Sequence, residues 1–171
     1  AFELDINRQW QVTEALQGPV TESGRRVYGF GRAIALDGSR ALIMTYEAND
    51  DAEERIWSYT RANDGTWSFD AEFAPEIPCS NLSFIGDSSA ECDEGAERAN
   101  WRPYLDMHQG QAIIAEARND TAVIFTLGED GTWGDAQRLP SPEGSGGSPG
   151  PVAIHGDTAV IAYPRYRNWT G

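Results

Sequence analysis

The sequence predicts an all-β fold made of four-stranded antiparallel sheets, and two observations lead to this prediction. Apolar runs of five to seven residues, rich in Ile, Val, Phe, Trp, Tyr and Thr, are separated by turns that contain Gly, and no three-four spacing of an amphipathic helix persists. Two kinds of hairpin sequence also recur along the 171 residues. We therefore expect almost no helix and a repeated sheet.

The first kind, the Gly-turn hairpin, is an apolar run, a turn that contains Gly, and a second apolar run. Its three copies are Phe30–Tyr46, Tyr104–Ala117 and Gly150–Tyr163, with the turn glycines Gly38, Gly110 and Gly156. Glycine accepts the backbone conformations that tight hairpin turns require. Each copy therefore predicts two neighbouring antiparallel strands.

The second kind, the DGTW-type hairpin, is an aromatic strand, an acidic turn, and a Trp that leads into a further strand. Its copies are Arg55–Phe73 and Ala122–Leu139, with a degenerate copy at Leu4–Leu16. Asp64-Gly65 and Asp130-Gly131 are strong hairpin signals, because both residue types tolerate a positive φ. We expect Trp67 and Trp133 to bury their rings between sheets; the alternative is stacking on a sugar.

The order of the hairpins gives the domain organisation. A Gly-turn hairpin followed by a DGTW-type hairpin makes a four-stranded sheet of about 40 to 45 residues, as in a β-propeller blade. Residues 1–17 are the outer hairpin of a split blade, 28–74 a full blade, 75–102 an inserted loop with both cysteines, 103–140 a full blade, and 147–171 the inner hairpin of a split blade. Propellers typically have four to eight blades. These three blade-equivalents are therefore an incomplete ring, either a piece of a longer propeller or a ring completed by another chain.

The hairpin sequences also resemble a known repeat. Phe30-Gly31, Ala33–Ala35 and Asp37-Gly38, followed by Asp64–Trp67, are similar to the FG-GAP (integrin-type) β-propeller repeat in its bacterial extracellular form. His155–Val160 and Asp130–Trp133 match the same pattern, although only the first copy keeps Phe-Gly. The resemblance covers nearly the whole chain except residues 76–102. It implies an extracellular or cell-surface, secreted protein with protein or carbohydrate ligands.

Charge excludes two classes of partner. The chain has 27 acidic side chains against 13 basic ones, all Arg, and a formal net charge of −14. A generic nucleic-acid binder needs a basic surface, and an anionic membrane would repel this chain. No run of about 18 apolar residues occurs, so the sequence predicts no membrane insertion. Residues 1–20 also lack the pattern of a signal peptide.

The two cysteines predict a disulfide. Cys79 and Cys92 lie in a polar stretch with no nearby His to complete a zinc site. Closing this short loop would stabilise the fold by about 3 kcal/mol in the chain-entropy model. A disulfide would favour an oxidising compartment, and the alternative is two unpaired surface thiols.

The sequence gives little support for a catalytic site or a metal site. The only histidines, His108 and His155, occupy matching positions beside Gly turns, which a turn role explains, and no hydrolase, zinc-protease or phosphate-loop motif occurs. The calcium loop of integrin FG-GAP repeats needs alternating carboxylates, which these turns lack. Two acidic stretches remain candidates for Ca²⁺, with simple solvation as the alternative: Asn49, Asp50, Asp51 and Glu53, and Asp87, Glu91, Asp93 and Glu94. We expect no enzyme activity from this chain alone.

Binding residues are expected on the long connections between strands. The best recognition candidates are Tyr163, Arg165, Tyr166, Arg167 and Trp169, because Tyr, Trp and Arg dominate binding hot spots. Alternatively, this tail packs against a further blade. The expected function is a non-catalytic recognition or adhesion module that binds protein or carbohydrate. Two alternatives stay open: a structural part of a cell-surface assembly, and the non-catalytic part of a glycan-acting enzyme.

Overall fold

The computed structural model describes residues 1–20, 29–46, 54–73, 103–116, 121–134, 136–141 and 149–163. Within these ranges the regular structure is strand only, which confirms the predicted all-β class. The strands are β1 (Phe2–Leu4), β2 (Trp10–Val12), β3 (Ala33–Asp37), β4 (Arg40–Tyr46), β5 (Glu54–Arg61), β6 (Trp67–Phe73), β7 (Tyr104–His108), β8 (Gln111–Glu116), β9 (Thr121–Thr126), β10 (Gln137–Pro140), β11 (Val152–His155) and β12 (Thr158–Ile161).

The strands form antiparallel sheets in the order of the hairpins. The first sheet is β3-β4-β5-β6 and the second sheet is β7-β8-β9-β10. The N-terminal hairpin, β1-β2, and the C-terminal hairpin, β11-β12, are each two-stranded, and none of the four sheets closes on itself. The chain forms two compact units, residues 1–74 and residues 75–171.

The core of the first unit lies on one face of the first sheet. Cross-strand neighbours Ala41 and Tyr59, and Ile43 and Trp57, are buried together on this face. Leu16, Phe30 and Trp67 pack against these four residues. The indole N–H of Trp57 donates to the Oγ1 of Thr45 at 3.1 Å, so the buried ring keeps a hydrogen-bond partner.

The core of the second unit joins the second sheet to the C-terminal hairpin. Ile113, Ala115 and Ala122 of the second sheet form a buried cluster with Ile154 of β11. The backbone N–H of Ile154 also donates to the Oδ2 of Asp106 at 2.8 Å. This hairpin therefore packs against the second sheet through the face that carries Ile154.

The three predicted turn glycines have the expected conformations. Gly38 (φ 57°) and Gly156 (φ 52°) stand first in their two-residue turns, as type II′ turns require. Gly110 (φ 74°) stands second and follows Gln109 (φ 49°), so both central residues have positive φ, as in a type I′ turn. All three glycines therefore lie in the turns that join the paired strands of their hairpins.

The three DGTW-type hairpins share one turn. The N–H groups of Asp5, Ala62 and Gly128 donate to the carbonyl oxygens of Gln9, Thr66 and Thr132 at 2.9, 2.8 and 2.7 Å. The N–H groups of Arg8, Gly65 and Gly131 donate back to the carbonyls of Asp5, Ala62 and Gly128, and all three donors have positive φ. The degenerate copy is therefore a true third hairpin, although its strands begin at Phe2 rather than at Leu4.

The aspartates of the two clear copies close their turns with side-chain hydrogen bonds. The Oδ1 of Asp64 accepts from the hydroxyl of Thr66 at 2.7 Å and from its N–H at 3.0 Å. Asp130 and Thr132 repeat both contacts at the same distances. Hydrogen bonds from the threonine hydroxyl and then its backbone N–H stabilise the charged carboxylate, so they lower the pKa of Asp64 and of Asp130 below 3.8.

Replacing Arg8 by Gly should stabilise the protein. Arg8 has φ 62° at the position where the other two turns have Gly, and a side chain in this conformation costs about 1 kcal/mol. We expect the free energy of unfolding, measured with urea, to be higher for Arg8→Gly than for wild type. Arg8→Ala is the control because it keeps Cβ. Equal stability of the two variants would contradict the prediction.

The turn aspartates should make stability sensitive to acid. Their pKa values are lowered by folding, so their contribution is complete above the unfolded pKa and is lost as the pH falls through the folded pKa. The double variant Asp64→Asn, Asp130→Asn keeps an acceptor oxygen but does not titrate. From about pH 5 to about pH 2, thermal unfolding should show a smaller loss of stability in this variant than in wild type. The neighbouring change Glu129→Gln serves as control, and a variant as acid-sensitive as wild type would refute this role.

Candidate functional site

Only one of the five predicted recognition residues lies within the described part of the chain. This residue is Tyr163, whose hydroxyl is buried and has no hydrogen-bond partner there. Arg165, Tyr166, Arg167 and Trp169 lie outside the described residues. The recognition role of this tail therefore stays a prediction.

The predicted cation and disulfide positions also lie outside that part. They are the acidic residues Asn49, Asp50, Asp51 and Glu53, the second acidic stretch, and both cysteines, Cys79 and Cys92. Among the residues that are described, no three His, Cys, Asp or Glu side chains come together as a metal-binding group. The Ca²⁺ site and the disulfide therefore stay predictions from the sequence.

The two predicted packing tryptophans are both half-buried. Trp67 packs against the core cluster of the first sheet, and its backbone pairs with Arg61. Trp133 occupies the same position of its own hairpin, where its backbone bridges to Leu127. The indole nitrogen of Trp67 is buried with no hydrogen-bond partner among the described residues, and the same side chain lines a cleft.

This cleft lies in the first unit and has a volume of about 510 Å³. One wall is β1, through Ala1 and Glu3. Its floor is the core face of β3 and β4, where Ile34 pairs with Ile43 and Leu36 pairs with Ala41. The other lining residues are Ala15, Leu16, Phe30, Gly31, Gly38, Arg61 and Trp67. The lining is therefore mainly apolar.

Contacts between the N-terminal segment and the first sheet hold the wall of the cleft. The guanidinium of Arg61 forms an ion pair with Glu3. The backbone N–H of Trp67 donates to the Oε2 of Glu14 at 3.1 Å, which gives a partner to an amide of an edge strand. The hydroxyl of Tyr59 donates to the carbonyl of Gln17 at 3.4 Å.

Aromatic contacts connect Phe30, which lines the cleft, to aromatic rings of the first sheet. Phe30 meets Tyr59 edge-on, with ring centroids 6.1 Å apart, and Tyr59 meets Phe69 in the same way at 6.0 Å. Burial of the phenol raises the pKa of Tyr59, because the charged phenolate would lose its hydration there. Tyr59 is therefore a neutral packing and hydrogen-bonding group.

The chemistry of the cleft is that of apolar contact. Its floor exposes Ile34 and Leu36 at 60% and 62% of their surface, a large share for two neighbouring aliphatic side chains. The charged groups Arg61 and Glu3 neutralise each other at the edge of the cleft. This arrangement suits an apolar side chain or a strand that brings several of them, because it places apolar surface beside the backbone edge of β1.

The second unit holds a contact that sequence reasoning missed. The imidazole rings of His108 and His155 stack, with centroids 4.1 Å apart and an interplanar angle of 29°. Both histidines occupy matching positions beside Gly turns in the sequence, and this repetition is the available signal for the contact. Two imidazoles alone fall short of the three or four ligands of a zinc site. The pair is therefore a packing contact between neighbouring hairpin ends.

Comparison of the chain with protein-family models, with curated proteins and with solved structures gave no match. Among the described residues, no helix is long and apolar enough to cross a membrane.

Loss of the Glu14 carboxylate should loosen the wall of the cleft. In Glu14→Ala the amide of Trp67 loses its charged acceptor, and hydrogen bonds to charged groups contribute about 1.5–3 kcal/mol. We expect faster hydrogen exchange at the Trp67 amide and a lower free energy of unfolding. Glu14→Gln, which keeps an acceptor oxygen, should lie between this variant and wild type. Unchanged exchange at Trp67 would show that the contact contributes nothing.

Proposed function

We propose that this chain is a segment of an FG-GAP-type β-propeller that acts as a non-catalytic extracellular recognition or adhesion module for a protein or carbohydrate. Support for the propeller comes from the repeated sheet. Both complete sheets join a Gly-turn hairpin to a DGTW-type hairpin in the same antiparallel order. Four-stranded antiparallel meanders of this kind are the repeating units of propellers.

The observation that carries the recognition role is the unequal length of the connections. In the first sheet, the β3–β4 and β5–β6 turns lie at one end and span residues 38–39 and 62–66. β4 ends and β5 begins at the opposite end, and β6 also ends there, because successive strands run antiparallel. In the second sheet the β8–β9 connection, residues 117–120, is shorter than the β9–β10 connection, residues 127–136. The long connections that the two sheets share are therefore those that begin at the ends of β6 and β10, residues 74–103 and 141–151. Long connections on a rigid sheet are where binding residues concentrate.

The type of ligand is inferred from residue chemistry. Tyr163 and the tail that follows it are rich in Tyr, Arg and Trp, which bind proteins and stack on sugars. The tail follows β12 at residue 161, at the end of the C-terminal hairpin opposite its Gly156 turn. The described residues that follow β12, Ala162 and Tyr163, therefore leave the hairpin at the end away from its short turn.

A structural role in a cell-surface assembly is the second candidate. It is favoured by apolar surface in both units of the chain, where Ile34, Leu36 and Val160 are all about 60% exposed. This surface bears on assembly rather than on ligand binding, so the two roles call for separate experiments.

Binding to a glycan array and to a panel of extracellular proteins tests the recognition role. We expect the wild-type chain to bind at least one ligand, and the double variant Arg165→Ala, Trp169→Ala to bind it about tenfold or more weakly, as hot-spot residues do. The matched control is Arg8→Ala, Trp10→Ala, which removes an exposed Arg and an exposed Trp from the N-terminal hairpin.

Two results would contradict the proposal. A folded wild-type chain that binds nothing in either panel would remove the recognition role. Equal losses of binding in the tail variant and in the matched control would show that the tail is not the ligand-binding site.

A further inference from the structure

Both complete sheets obey one pairing rule. The second strand of a Gly-turn hairpin pairs with the first strand of a DGTW-type hairpin, as β4 pairs with β5 and β8 with β9. The register is the same in both sheets. Ala41 lies opposite Tyr59, and Ala112 lies opposite Phe125, each pair one residue away from the strand end at the turn.

The two half-sheets contain the two strands that this rule would join. β12 is the second strand of a Gly-turn hairpin and pairs with β11, while β1 is the first strand of a DGTW-type hairpin and pairs with β2. Within the described residues, each strand has one partner and one free edge. Transferring the register of the complete sheets places Ala159 opposite Phe2 and Thr158 opposite Glu3.

The C-terminal hairpin also exposes apolar surface where its counterpart is buried. Ala153 pairs with Val160 across this hairpin, and the equivalent pair in the first sheet is Ala35 and Leu42. Ala35 and Leu42 are buried, whereas Val160 is 62% exposed. One face of the hairpin is thus covered through Ile154, and the opposite face is uncovered.

The first sheet also exposes an apolar side chain at a position where its counterpart in the second sheet is buried. Leu36 stands two residues before its turn, as Met107 does in the second sheet, and Met107 is only 4% exposed against 62% for Leu36. This exposed floor lies in the same cleft as the edge of β1, since Ala1 and Glu3 line it. A hairpin that pairs with β1 would therefore also cover Ile34 and Leu36.

We propose that the cleft is the docking site for the C-terminal hairpin of a second copy of this chain. β12 of one copy pairs with β1 of the other, and the face that carries Val160 covers the floor formed by Ile34 and Leu36. Two copies exchange two identical contacts and close a dimer in which each half-sheet becomes four-stranded. The choice of a second copy over the chain's own hairpin rests on the proposed propeller, because three sheets are too few to surround an axis.

Light scattering coupled to size-exclusion chromatography tests this interface. The wild-type chain should be a dimer. Val160→Lys and Ile34→Lys should each raise the dissociation constant of the dimer at least about tenfold, because the interface would bury an unpaired ammonium group. Both residues are largely exposed in the single chain, so neither variant should impair folding, and circular dichroism checks this.

The chain offers a matched control. Ile6 is 98% exposed in the turn that follows β1 and lies outside the cleft lining. Ile6→Lys should therefore remain dimeric. A wild-type monomer up to its solubility limit, or a dimer as stable in Val160→Lys as in Ile6→Lys, would overturn the proposal.

A disulfide cross-link tests the register and separates exchange from closure within one chain. A mixture of Glu3→Cys and Thr158→Cys chains should give a covalent dimer whose linkage mass spectrometry maps to these two positions. Gln11→Cys, whose strand β2 is not the pairing edge, replaces Glu3→Cys in the control mixture and should not cross-link to Thr158→Cys. A further variant carries both Glu3→Cys and Thr158→Cys in one chain. Efficient disulfide formation within single chains of this variant, without a covalent dimer, would refute pairing with a second copy. These experiments need no ligand, so their failure is distinguishable from failure of the recognition role.

Discussion

Pairing between the two kinds of hairpin is the interaction on which the rest of the fold depends. Where β4 pairs with β5, Ile43 lies beside Trp57 and Ala41 beside Tyr59, and these four residues form the buried cluster of the first unit. Residues distant in sequence, such as Leu16 and Phe30, then have a surface to pack against. The half-sheets lack this pairing within the described chain, and Val12 and Val160 stay exposed there, as Ile34 and Leu36 do on the first sheet.

Much of the fold is readable from the sequence because it is local. The Gly turns, the Asp-Gly turns and the strand runs are set by residues within about ten positions of each other, and their φ values and hydrogen bonds match the expectation. Even the degenerate hairpin at the N-terminus was recognisable, although Arg8 replaces the Gly of its turn. The four-strand repeat then follows from the succession of hairpins.

The candidate site was much less predictable, because its contacts join residues far apart in sequence. The ion pair of Glu3 with Arg61 and the hydrogen bond of Tyr59 to Gln17 have no local signature. Nor does a repeat pattern reveal which of its copies is left uncovered. Leu36 and Met107 occupy matching positions, yet one is largely exposed and the other buried. Exposure is a property of the tertiary environment, and sequence periodicity gives only the face on which a side chain lies.

Among the described residues, the free edges of β12 and β1 differ in kind, because one belongs to a Gly-turn hairpin and the other to a DGTW-type hairpin. In the proposed pairing each contact joins unlike edges, so a copy that joins an open series would present one edge of each kind to the next copy. Such a series would close into a ring only where its last edge pairs with its first, and otherwise it would continue as a fibre. Under that pairing, the angle between neighbouring sheets would decide between a closed assembly and a fibre.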